Sequence, residues 1–355
     1  MKIAYYAPLK PPGHPVPSGD RAMARALSAA LEHAGHSVTH ASALRLYDGR
    51  GDSARQDELL RAAAEEVERL IAAPPAQGWQ CWLTYHNYYK APDLIGPAVA
   101  RALAIPYMQV ESTRARKRLS GPWARFAAAA EAATDAAYTV FYVTHRDAET
   151  LRRDAPPGQV LRHLPPFLAR PDLPDASTLD GPMLSVGMMR QGDKLASYQL
   201  IADTLAALPH ALDWHLEIAG DGPAREQVAA LMAPFGTRVT VLGALDAGAL
   251  AAKYARASLL LWPGVNEAFG LSYLEAQAAG IPVVAQDRPG VRDVVFAPLS
   301  EVEAGVDAMA QRVVTLLENT DLRHAAGAAA RRRTGQSHLL GAAAATLNET
   351  LKDIT

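Results

Sequence analysis

The sequence predicts an α/β chain with two parallel sheets. Short β-branched and aromatic runs alternate with longer amphipathic segments, the alternation stops once and restarts, and the 355 residues suit two ordinary domains better than one. Hydrophobic residues make up 49% and charged residues 20%, which are globular values. A formal net charge of −2 provides no global field to recruit nucleic acid.

In the first half, apolar runs at residues 2–7, 36–41, 79–85, 105–110 and 138–144 read as strands. Between them lie helical patterns such as Met23, Ala26, Leu27, Ala30 and Leu31, which fall on one helix face. Repeated βαβ units imply a parallel sheet covered on both sides. Residues 163–182, HLPPFLARPDLPDASTLDGP, then break the pattern, because their prolines forbid a continuing helix or a central strand. Runs at 183–189, 214–219, 238–242, 258–262 and 281–285 resume it, and residues 322–355 read as helix only. Two Rossmann-like domains follow, at 1–168 and 169–335, with a last helix in 336–355.

The lone Cys81 excludes a disulfide framework and fits a reducing compartment. The N-terminus reads as a strand and a proline-rich loop, not a signal peptide. No apolar run reaches the ~20 residues that span a bilayer. The expectation is a cytoplasmic protein, with peripheral contact at the inner membrane face as an open reading.

The most informative stretch, residues 266–290, reads NEAFGLSYLEAQAAGIPVVAQDRPG and follows the strand-like LLLWPG. Glu267 stands just past a strand's C-terminal end, where open α/β sheets bind ligands. A helix is expected to begin near Phe269 or Gly270, and its free N–H groups suit an anionic diphosphate. Glu275 falls on the apolar side of that helix, where an unpaired carboxylate costs roughly several kcal/mol. An internal Arg or ribose hydroxyls are the partners open to it. The segment resembles the donor-site signature of glycosyltransferase family 4, with its two glutamates separated by seven residues, its FGL and its downstream AGIPVVA.

That resemblance implies a GT-B fold: two Rossmann-like domains whose parallel sheets face a central cleft, and a C-terminal helix crossing back to the N-terminal domain. It implies that Glu267 contacts the transferred sugar and Glu275 the ribose, with Asn266, Ala268, Phe269, Gly270 and Leu271 lining the donor. Arg190 and Lys194, in SVGMMRQGDK, match in kind the pair that neutralises the diphosphate. A leaving nucleoside diphosphate gains charge that a fixed guanidinium and ammonium stabilise. The chain has no Asp-x-Asp metal pair, so no metal or other cofactor is expected. The Gly220-Asp221-Gly222 turn is either near the nucleotide base or a plain tight turn. A third glycine and a later acidic partner are missing, so a nicotinamide dehydrogenase is the weakest reading.

In the N-terminal half, Gly19 stands where the family faces the diphosphate. Asp20 is either a helix cap or a hydrogen-bond partner of an acceptor hydroxyl. His86 ends a strand where the family places a histidine near the forming bond. Glu111 occupies the place of another family histidine, and with His14, Asp20 and Arg114 completes the acceptor candidates. The basic segment 114–125 is a solvated face, an anionic acceptor site or a membrane foot.

The implied activity is retaining transfer of a hexosyl group from a UDP- or GDP-sugar to an acceptor hydroxyl of a glycan, a lipid or a small molecule, by front-face attack. A nucleotide-sugar epimerase of the same fold and a non-catalytic nucleotide- or glycan-binding protein are the alternatives.

Overall fold

The computed structural model describes residues 1–16, 18–72 and 78–353. Pro17 of the proline-rich loop and the last two residues of the expected final helix lie outside the described residues. In chain order the first elements are β1 (Lys2–Tyr6), α1 (Gly19–His33), β2 (Ser37–His40), α2 (Ser53–Ala72), β3 (Cys81–Tyr85), α3 (Gly96–Ala102), β4 (Tyr107–Val110), α4 (Ala124–Ala136), β5 (Thr139–Tyr142), α5 (His145–Asp154) and β6 (Val160–His163). There follow β7 (Met183–Val186), α6 (Asp193–Ala206), β8 (Leu216–Ala219), α7 (Arg225–Met232), β9 (Val239–Gly243), α8 (Ala247–Tyr254), β10 (Leu260–Leu261), α9 (Leu271–Ala278), β11 (Val283–Val284) and α10 (Val291–Val294). The chain ends with α11 (Gly305–Glu318), α12 (Thr320–Ser337) and α13 (Leu340–Lys352).

Two compact units result: Met1–Pro165 with Leu340–Thr355, and Pro166–Leu339. The divide falls before the expected 168 because Leu168 donates its N–H to the His338 carbonyl at 2.9 Å and bridges Leu339. The same pairing interrupts the expected helical tail between α12 and α13.

The first unit holds one parallel sheet in the order β2-β1-β3-β4-β5-β6. Its centre is apolar and fully buried, with Ile3, Tyr5, Leu83, Met108 and Val140 at its core. Strand β6 was not anticipated. It lies at the sheet edge beside β5 and is only half-buried, so it carries no apolar run. Helix α13 buries Leu340, Ala343, Ala344, Leu347 and Leu351, a helical stripe that packs on α1.

The second unit holds a parallel sheet in the order β11-β10-β7-β8-β9. Past β11 the described residues form no further strand, only a bridge from Gln286 to Ser300 before α11.

Each order contains a point where successive connections leave in opposite directions: between β1 and β3 in the first sheet, and between β7 and β10 in the second. Open α/β sheets bind ligands outside the strand C-termini at such points.

Candidate functional site

In the second unit, the loops after β7 and β10 meet at the switch point. Their approach is close. A Cβ on Gly187 would come within 2.5 Å of the Trp262 ring, and the Gly187 carbonyl accepts the Tyr198 hydroxyl at 2.7 Å. Only glycine fits there. The Val265 N–H donates to Ser197 Oγ at 3.1 Å, and Asn266 Nδ2 donates to Asp193 at 3.0 Å. The two loops are therefore tied together through the start of α6. Asn266 sits at φ 50°, a left-handed position that asparagine tolerates better than most residues.

Three groups converge at this junction. Lys194, in the first turn of α6, forms an ion pair with Glu267 Oε1. The Trp262 indole N–H donates to the same oxygen at 2.9 Å. The ammonium also stands 5.2 Å from the Trp262 ring centroid. The Glu267 side chain is only 11% exposed, so the carboxylate needs these partners. Trp262 was missed at the sequence level, although LLLWPG carried a signal: an indole N–H at a strand's C-terminal end. Arg190 lies in the same loop as Lys194, exposed, with no ion pair among the described residues.

Gly270 caps α9 at φ 64°, so the helix begins one residue past the later of the two expected starts, and a Cβ on Gly270 would come within 2.8 Å of the Tyr273 ring. Phe269 is buried, so its ring belongs to the core, while Ala268 is exposed and Leu271 half-buried. Gly290, at φ 84°, backs the loop: a Cβ there would lie 2.0 Å from the Ala268 carbonyl oxygen.

Glu275 does not join Lys194 and Glu267. Its Oε2 accepts the Tyr254 hydroxyl at 2.9 Å, and burial raises its carboxyl above the usual range against the pull of Tyr254 and Arg170. It lines an apolar pocket of about 530 Å³ with Arg170, Leu250, Ala251 and Tyr254.

The Gly220-Asp221-Gly222 turn has a packing reason for its glycines. Added Cβ atoms would meet the Gly187 and Met189 carbonyls at 1.9 and 2.4 Å. Asp221 spends its carboxylate locally, on the Gly222 N–H and on Arg225. Helix α7 begins at Arg225, just past this turn.

In the first unit, the ends of β1, β3 and β4 bring His86, Asp20 and Glu111 together. His86 and Glu111 each follow a strand directly and sit at φ 63° and 58°. Sheet hydrogen bonds hold both there: His86 N–H to the Val110 carbonyl and Glu111 N–H to the Phe141 carbonyl, each at 2.9 Å. Non-glycine residues in this region are strained and concentrate at functional sites. His86 Nδ1 lies 3.3 Å from Asp20 Oδ1, within ion-pair reach but without hydrogen-bond alignment. Burial alone would lower the imidazole's pKa, but Glu111, Asp20 and Asp147 outweigh it and raise it. Burial pushes the Glu111 carboxyl up to about 7, and its Oε2 has no hydrogen-bond partner among the described residues. Asp147, which joins this cluster, was missed. Its visible signal is only that of a helix start, Thr144 accepting the Asp147 N–H.

The remaining candidates lie elsewhere. Gly19 opens α1 behind the Ser18 cap, with open space where a Cβ would be. His14 accepts the Val16 N–H within its own loop. Arg114 is corrected: its side chain is 1% exposed, and Glu131 and Asp135 take its two terminal nitrogens at 2.7 and 2.6 Å. It is a buried tie between the loop after β4 and α4, its charge balanced by those two carboxylates. Within the rest of the basic segment, Arg116 meets Asp154 and Arg125 meets Asp57. Among the described residues no helix is long and apolar enough to cross a membrane, and no three His, Cys, Asp or Glu side chains are grouped to hold a metal ion.

Comparison with known proteins bears on the fold. Residues 183–319 match the family model described as Glycosyl transferases group 1. The chain is 30% identical over 145 residues to the sulfoquinovosyl transferase SQD2 of Arabidopsis thaliana, covering 39% of this chain and 27% of that protein. It is 37% identical over 93 residues to a GDP-mannose-dependent alpha-mannosyltransferase of Mycolicibacterium smegmatis, covering 26% and 24%. The chain thus spans about a quarter of the length of these curated relatives. Among solved structures, a sucrose-phosphate synthase from Thermosynechococcus elongatus superposes with a TM-score of 0.75 at 19% identity, over 99% of this chain and 98% of that one. Anabaena HepE in complex with UDP-glucose does so with 0.71 at 16%, over 99% and 100%. The chain has the GT-B fold, and its residues 183–319 are similar to the glycosyl transferases group 1 family.

Proposed function

We propose that this chain is a metal-independent, retaining glycosyltransferase that moves a hexosyl group from a nucleoside-diphosphate sugar to an acceptor hydroxyl. The observation that supports this most is the junction of Lys194, Glu267 and Trp262 at the switch point of the second sheet. A carboxylate held there by an ammonium and an indole N–H can accept from sugar hydroxyls. The ammonium can at the same time face a diphosphate. Arg190, exposed and without an ion pair among the described residues, would add the second positive charge. HepE, a protein of the same fold, was solved with UDP and with UDP-glucose, which favours a donor of this class.

In the proposed step the bond from the anomeric carbon to the diphosphate oxygen breaks. The acceptor oxygen bonds to that carbon from the same face, and its proton passes to a diphosphate oxygen. The protein's contribution is positioning and charge stabilisation, not a strong base. Glu275 would take the ribose hydroxyls after releasing Tyr254. His86, Asp20 and Glu111 would serve the acceptor.

A thermal-shift panel of UDP-, GDP- and ADP-sugars tests this reading. The cognate donor should stabilise the chain by about 2.7 kcal/mol at a hundred times Kd. Donor and acceptor together should then yield a glycoside of unchanged anomeric configuration. No stabilisation by any nucleotide sugar would remove the proposal. An epimer formed from donor alone would replace it.

A further inference from the structure

The arginines of segment 114–125 are of two kinds. Arg114, Arg116 and Arg125 each meet a carboxylate. Arg118 does not. Its guanidinium carbon stands 5.1 Å from the Tyr89 ring centroid and 5.4 Å from that of Trp123, and its buried Nε has no hydrogen-bond partner among the described residues. Lys90, from the loop after β3, shares both rings: its Nζ lies 5.7 Å from the Tyr89 centroid and 5.6 Å from that of Trp123. Neither cation has an ion-pair partner among the described residues. Two like charges over the same pair of rings repel each other, and the ring quadrupoles offset this only in part. A shared anion removes the repulsion and gives the Arg118 guanidinium an acceptor.

The rings also connect these cations to His86. Trp123 meets Tyr89 at 5.7 Å, Tyr89 meets Tyr88 at 5.6 Å, and Tyr88 meets His86 at 4.8 Å between centroids. At the His86 end Asp20 Oδ1 lies 3.3 Å from Nδ1, and the Glu111 and Asp147 carboxylates bear on the same imidazole, so an anion is disfavoured there. A ligand lying along the rings is therefore oriented, with its neutral hydroxyl at His86 and its negative group at the far end.

We propose that Lys90 and Arg118 form the anion subsite of the acceptor, which bears a phosphate, sulfate or carboxylate on a sugar-sized frame. This rests on the glycosyl-transfer reading above and names its acceptor class. The residues that carry it could not be separated from the rest of the basic segment in the sequence. Lys90 is distant from that segment, and only ring contacts distinguish Arg118 from its neighbours.

The test uses the full chain with its nucleotide site saturated by a nucleoside diphosphate, so that phosphate does not bind there. Inorganic phosphate is then titrated against tryptophan fluorescence and by calorimetry. The Lys90→Met/Arg118→Met double variant should bind it at least about tenfold more weakly, with nucleoside diphosphate affinity unchanged. In turnover, a hexose phosphate or a uronic acid should outperform the neutral hexose, and the double variant should erase that preference through the acceptor KM. The pair Lys90→Arg and Arg118→Lys, which keeps both charges, should retain phosphate binding. Its loss there would assign both residues to packing and overturn the proposal. Equal phosphate binding by wild type and double variant, or a preference for neutral acceptors, would also overturn it. A wild type that binds phosphate at these residues but no nucleotide would leave the subsite standing and remove the glycosyl-transfer reading instead.

Discussion

The two units build their candidate sites from opposite materials. In the second unit the key carboxylate is matched at once: Glu267 has an ammonium and an indole N–H on one oxygen, and the loops around it are held by glycines that admit no Cβ. In the first unit three carboxylates crowd one histidine, two non-glycine residues are held in left-handed conformations, and one oxygen of Glu111 is unmatched among the described residues. The difference follows from what each site is proposed to hold. A diphosphate sugar has a fixed shape and charge, which a preorganised ion pair and backbone can match in advance. An acceptor hydroxyl needs groups that exchange protons and hydrogen bonds.

Four substitutions test this contrast. The largest effect is expected at Arg114, read here as structure. Arg114→Ala leaves Glu131 and Asp135 without their cation and should cost about 3–5 kcal/mol in chemical denaturation of the first unit. Nucleotide affinity should stay as it is. Undiminished stability would return Arg114 to the acceptor candidates. Next is Lys194→Ala, which should lower kcat/KM by about 2–4 kcal/mol of transition-state stabilisation while leaving the melting temperature close to wild type. Steady-state kinetics with the cognate donor measure it, and unchanged turnover would end the preorganised-pair account.

Glu111→Gln sharpens the other side. Burial pushes this carboxyl from its ordinary 4.5 up to about 7, so between those pH values the folded chain holds a proton that the unfolded chain has released. The resulting stability is fully present below about 4.5 and is lost as pH rises through 7. His86, also raised, acts with the same sign: its contribution is present below 6.5 and is lost above its folded pKa. Glu111→Gln should therefore flatten the loss of stability between pH 4.5 and 7.5 by about 1–3 kcal/mol. Denaturation curves at both pH values decide it, and a wild-type slope in the variant would show that Glu111 does not titrate there. The smallest effect is expected at Tyr254. Tyr254→Phe removes a single hydrogen bond to Glu275 and should change nucleotide affinity by about 1 kcal/mol, less than Glu275→Ala does. Calorimetry of the two variants side by side orders them.

Strand positions were legible because buried parallel strands are written as local apolar runs. The exception, β6, is an edge strand with one face in water. The loops that bring Glu267 and Lys194 together were legible because switch-point loops follow strand ends directly. Tyr254 and Asp147 were not, since each acts on a residue through side-chain direction, and Trp262 showed only its place at a strand end. Arg114 illustrates the limit from the other side: a cation in a basic segment looks the same whether it faces solvent or two acids contributed by a neighbouring helix.

By itself the sequence determined the α/β class, the two-unit division and the loops that meet at the second unit's switch point, because periodicity, proline breaks and strand-end motifs are local properties. Tertiary structure alone decided which charges are neutralised and which remain open. Arg114 and Arg118 are four residues apart in one basic run, yet one is consumed by Glu131 and Asp135 while the other waits with Lys90 over two aromatic rings. Electrostatic pairing depends on distance in space, and no local pattern encodes it.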